Sequence, residues 1–139
     1  MGCCGHDFTS EESISLAIKS NTKDFNKLKP KTKQDYLKFR DRFPKQNLQY
    51  GVCRNLIYQN RSRHYCIGCP LHPTHHHDED LRIGHCDHLF LCPSAKAFNQ
   101  WQPVTQQAFL DFVKKKELSN IQYSIEIASG NLVNNFIYQ

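Results

Sequence analysis

HYCIGCPLHPTHHHDEDLRIGHCDHLFLC, residues 64–92, decides how this chain holds itself together. From Gln59 to His85 the apolar side chains thin out to Ile67, Leu71, Leu81 and Ile83, too little area to fix a segment this long. Something other than a hydrophobic core must order it. Seven of the eight histidines (His64, His72, His75, His76, His77, His85 and His88) lie between positions 64 and 88, with Cys66, Cys69, Cys86 and Cys92 in or beside that stretch. Cysteines in a chain without an export signal point to metal rather than disulfides, because reducing compartments keep thiols reduced.

Cys66-Ile-Gly-Cys69 lets a tight turn at Gly68 present two sulfurs to one tetrahedral ion at about 2.3 Å. The second half of the set is expected from His88-Leu-Phe-Leu-Cys92, whose separation of four puts both side chains on one face of a helical turn. Cys66, Cys69, His88 and Cys92 then form a closed Cys3His site for one structural zinc ion, with no position left for a catalytic water. His85 and Cys86 stand close enough to His88 to replace it. A RING-like double site fails because no cysteine or histidine follows Cys92, and a second site would have to draw on Cys53, His64, His72 and the 75–77 triplet. That triplet, followed by Asp78, Glu79 and Asp80, reads more simply as an exposed loop.

Outward from this segment, the chain of 139 residues is the length of one domain. Its 39% hydrophobic and 22% charged residues exclude disorder as the general state. No apolar run approaches the roughly 20 residues of a membrane-spanning helix. Residues 1–8 read as a flexible tail, and residues 9–139 as a single, mostly α domain of short helices around the zinc segment, residues 60–101. Thr9 and Glu12 make a capping-box pattern for a helix over about residues 10–20 that Asn21 ends. Pro30 and Thr32 start a second helix, stopped by Pro44, with Tyr36, Phe39 and Phe43 as core. Leu48–Tyr58 is expected as a third, although Gly51 and the β-branched residues also allow a strand. Pro93 starts or kinks a helix and puts Cys92 at a junction, with Phe98 and Trp101 packing back on the knuckle. A helix opens at Thr105, and the segment from Ile121 to Phe136 is expected as helix with Gly130 its weak point.

The charge is uneven. Residues 1–18 sum to −3, residues 19–45 to +7, residues 46–86 to +1, and the remainder to zero. A basic segment of this kind points to an anionic partner, nucleic acid or a lipid surface. Lys29, Lys31, Lys33, Arg40 and Arg42 surround the second helix, and Arg61 and Arg63 precede the knuckle, so folding can gather them into one phosphate-binding face.

The string Cys66-Ile-Gly-Cys69-Pro, then His88-Leu-Phe-Leu-Cys92-Pro-Ser-Ala, then Trp101, resembles the zinc-binding domain at the C-terminal end of non-LTR retrotransposon reverse transcriptases. The resemblance covers residues 48–101, with a shorter insertion between the pairs and three rather than four residues between His88 and Cys92. It implies a nucleic-acid-binding zinc module, RNA or DNA, without polymerase activity.

Met1-Gly2-Cys3-Cys4 carries a second expectation: myristoylation of Gly2 and palmitoylation of Cys3 and Cys4, making a lipid-anchored zinc adaptor or matrix-like protein that binds protein partners at a membrane. His6 stands where that motif prefers Ser or Thr. No local sequence fixes a base or an oxyanion donor beside a nucleophile, so no enzyme is expected. The expected location is intracellular, in nucleus or cytoplasm, and membrane-associated if acylated.

Overall fold

The computed structural model describes residues 5–61 and 64–138, the side chains of 60, 61, 64 and 65 excepted. The protein is mostly α, with six helices and two short antiparallel strand pairs among the described residues. Residues 9–139, read as one domain from the sequence, resolve into two compact units that meet in sequence between Leu89 and Phe90.

The first unit is built on α1, Glu11–Leu28. Its cap falls one residue later than the Thr9 pattern indicates: Ser10 Oγ accepts from the Ser13 N–H, and Glu11 and Glu12 face the positive end of the helix dipole. Ile14, Ala17, Ile18 and Asn21 form its buried stripe. Asn21 does not end the helix, as expected from sequence, but sits inside it. Its side chain is buried and donates to the carbonyls of Cys53 and Leu56, both at 3.0 Å, so it cannot compete for its own backbone. The helix therefore runs on to Lys29, which closes it in the left-handed conformation at φ 47°.

Thr32 and Asp35 form a reciprocal capping box that opens α2, Lys33–Arg40, where the sequence placed a start. Phe39 is fully buried. The helix expected over Leu48–Tyr58 is replaced by strands: β1 (Leu48–Gln49) pairs with β2 (Val52–Cys53), and β3 (Ile57–Arg61) with β4 (His64–Gly68). The reason is the turn. Tyr50 and Gly51 both have positive φ, 54° and 83°, the backbone of a two-residue hairpin loop, and a Cβ at Gly51 would lie 2.5 Å from the His6 carbonyl oxygen. Within the stretch read as a tail, Gly5 bridges to Val52 and the His6 N–H donates to the Gly51 carbonyl at 3.0 Å. Beyond β4 only a three-residue 3-10 helix, Pro73–His75, interrupts irregular backbone, with Leu71 and Leu81 as its buried anchors.

The second unit holds four helices. α3 (Pro93–Gln100) and α4 (Pro103–Lys115) each begin with proline at the first position, where the missing N–H costs nothing. α5 (Asn120–Ala128) carries a Ser119/Gln122 capping box, and Gly130, at φ 82°, separates it from α6 (Asn131–Ile137). Phe109, Ile127, Leu132 and Val133 form the core. Phe98 and Trp101, expected against the zinc knuckle, pack here: Trp101 meets Phe109 edge-on at 5.3 Å and Phe136 at 5.6 Å.

In the first unit Arg42 reaches inward, its side chain only 13% exposed. Its guanidinium lies 3.8 Å above the Phe39 ring and donates to Asp24, Asn55 and the carbonyls of Phe39 and Arg54. Replacing it takes the guanidinium donor from each of these acceptors. Arg42→Leu is expected to lower the unfolding free energy by about 3 kcal/mol in urea titration. Arg42→Lys is expected to recover less than half of that, since an ammonium cannot span the fork.

Candidate nucleic-acid interface and metal ligands

Because α1 continues past Asn21, Lys19, Lys23 and Lys27 fall four residues apart on one exposed face. Lys29 and Lys31 follow, also exposed. Among the described residues no ion pair engages these five lysines; Asp24, the acidic residue nearest the stripe in sequence, is held by Arg42 at 3.2 Å.

The basic residues selected from sequence divide differently. Lys29 and Lys31 face solvent, and Lys33 pairs with Glu79. Arg40 is held by both carboxylate oxygens of Asp41 and by the carbonyls of Leu81 and Ile83. Those bonds hold the Asp41 carboxyl below its ordinary range. Arg42 is inside the fold, and its burial pulls its pKa down from the usual arginine value. The Arg61 side chain and Arg63 lie outside the described residues, as do Gly2, Cys3 and Cys4. Lys19, Lys23 and Lys27 were missed although their spacing is plain in the sequence; ending the helix at Asn21 hid it.

A cleft of about 570 Å³ opens beside the stripe. Phe25 and Asn26 of α1, Tyr36 of α2, Tyr58 and Gln59 of β3, and His75 line it. Around α1, Thr22 and Asn26 stand between the buried stripe and the lysine stripe, while Phe25 falls on the buried side. Tyr36, expected as core, is only half-buried; it leans edge-on to His76 at 4.6 Å, and His76 Nε2 is fixed 2.7 Å from the Pro70 carbonyl oxygen. The Tyr58 N–H donates to Thr22 Oγ1 and its hydroxyl meets Ser15 Oγ at 3.1 Å.

Cys66 lies in β4 opposite Gln59, and its thiol donates to the Gln59 carbonyl at 3.7 Å. Cys69 follows the strand, and its carbonyl accepts from the His72 N–H. His88 is in a turn of the first unit; Cys92 belongs to the second. The helical turn expected to join them does not form. Pro93 keeps the residue before it out of the α region, so Cys92 is extended, with ψ 162°, and caps α3. Of the alternative ligands, His85 is 8% exposed and its Nδ1 sits 3.0 Å from Asp41, while burial lowers its pKa and favours the neutral ring. Among the described residues no group of three or more His, Cys, Asp or Glu side chains is placed to hold a metal ion. The thiols and imidazoles are the donor types zinc takes, and among the described residues they are not gathered around one point.

Asp80 accepts from Arg82 Nε at 2.8 Å, Nη2 at 2.7 Å and the Arg82 N–H at 3.0 Å, which hold its pKa at about 2, against 3.8 ordinarily. A carboxyl depressed by folding stabilises fully above its unfolded pKa and loses that contribution as pH falls through the folded value. Asp80→Asn is therefore expected to lower the urea midpoint near neutrality and to flatten its fall between pH 3.8 and about 2.

Among the described residues no helix is long and apolar enough to cross a membrane. In comparisons with known proteins, no family model, curated protein or solved structure matches the chain.

Proposed function

We propose that the chain is a nucleic-acid-binding module that grips phosphates through the lysine stripe of α1 and its continuation. One observation carries this: Lys19, Lys23, Lys27, Lys29 and Lys31 are all exposed, and among the described residues no carboxylate pairs with their ammonium groups. A solvated helix face ordinarily mixes both signs, whereas five unneutralised cations within residues 19–31, three of them on one helix face, favour a polyanion. No base readout is needed, so binding is weakly sequence-selective. The resemblance of residues 48–101 to a retroelement zinc-binding domain favours the same class of partner.

If each of the five lysines neutralises one phosphate, the logarithm of affinity falls by about 3.5 to 4.5 per tenfold rise in salt. Lys19→Glu, Lys23→Glu and Lys27→Glu together are expected to reduce that slope by about 2 to 3 and to abolish binding at physiological salt. The same reversal at Lys114, Lys115 and Lys116 is expected to leave binding intact. Fluorescence anisotropy with labelled RNA and DNA measures both. Equal loss in the two triple variants, or no binding by the wild type at low salt, overturns the assignment.

We further propose that Cys66 and Cys69 provide two of the ligands of a structural zinc ion. Support comes from the donor types and from the irregular backbone after β4, which has few buried apolar anchors and gains most from a metal staple. Elemental analysis is expected to find about one zinc per chain, lost in Cys66→Ser with Cys69→Ser. Protein purified without chelator that contains none sinks the site.

A further inference from the structure

We propose that the cleft between α1, α2 and β3 receives an unpaired nucleobase, so that the polyanion gripped by α1 is single-stranded. This rests on the phosphate-binding assignment of the lysine stripe and adds what lies beside the phosphates. Three features of the cleft point there. Its volume, about 570 Å³, is that of a small-ligand site, and its lining includes the rings of Phe25, Tyr36 and Tyr58 and the His75 imidazole. Aromatic faces bind any base by stacking, and the amides of Asn26 and Gln59 add groups that can both donate to and accept from a base edge.

The third feature is placement. Lys23 and Lys27 follow directly in sequence on Thr22 and Asn26, which line the cleft, so each cation stands about a quarter turn from a cleft residue. They are about 6 Å apart along the axis, a step that successive phosphates of an extended strand can follow. A duplex stacks its bases on one another and can offer only its backbone, so it uses the lysines and leaves the cleft unused. Tyr36 is braced for this: Phe25 and His76 contact its ring, and His76 is itself tied to the Pro70 carbonyl. A ring already held in place loses little freedom when a base packs on it.

The test uses the full chain with labelled oligo-U and oligo-dT and a mixed-sequence duplex of equal length, at one fixed salt. Single strands of either sugar are expected to bind more tightly than the duplex. Tyr36→Leu is expected to weaken single-strand binding by about tenfold while changing duplex binding less than twofold, and Tyr36→Phe to restore it. Asn26→Trp, at an exposed helix position, fills the cleft without touching the core and is expected to act like Tyr36→Leu. Photocrosslinking of wild-type protein to 5-iodouridine-labelled RNA is expected to modify Tyr36 or Tyr58. Equal affinity for duplex and single strand, with no effect of Tyr36→Leu or Asn26→Trp, overturns the base pocket and leaves the phosphate stripe standing. Crosslinks confined to residues outside the cleft also overturn it. Failure of every nucleic acid to bind overturns both.

Discussion

The guanidinium of Arg42 is the constraint on which the first unit depends. A cation brought this far out of water must have its donors taken up, and here they are taken by Asp24 on α1, by the carbonyls of Phe39 and Arg54, and by the buried amide of Asn55. The Phe39 ring beneath it supplies a further attraction at 3.8 Å. One side chain thereby ties together α1, the end of α2 and the turn between β2 and β3. Arg54, over the Phe43 ring at 4.1 Å, extends the same arrangement outward.

Asn21 is the second half of that device. It is buried, and both of its amide protons go to carbonyls of the β2–β3 turn that Arg42 also holds. With its polar atoms occupied by tertiary partners, α1 continues for two further turns. Those turns carry Lys23 and Lys27 on one side, Asn26 on the next and Phe25 toward the core. The exposed lysine surface is therefore a consequence of an internal network, and the one acidic residue among those lysines, Asp24, is consumed in building it.

The basic residues also separate by chemistry. Both arginines of the 19–45 segment have multi-donor roles inside the fold, where a planar fork can satisfy several acceptors at once. The lysines remain outside, where a strongly hydrated point charge is best kept and where contact with phosphate needs no fixed geometry. Net charge alone, +5 over the chain, conceals this division.

Local chemistry was enough to determine the helical class, the Thr32/Asp35 start, the proline at the head of α3 and the break at Gly130, because caps, prolines and glycines act over three or four residues. The Cys/His spacing likewise marks candidate donors, without placing them around one point. Other features needed the fold. Asn21 is a helix breaker or a helix interior depending on what its amide meets 32 residues away. Residues 48–58 became hairpins because Tyr50 and Gly51 turn left-handed against the backbone of His6. Arg40 and Arg42 look like the best phosphate ligands in the sequence, yet their donors are spent inside, since only tertiary packing decides which cations keep their water.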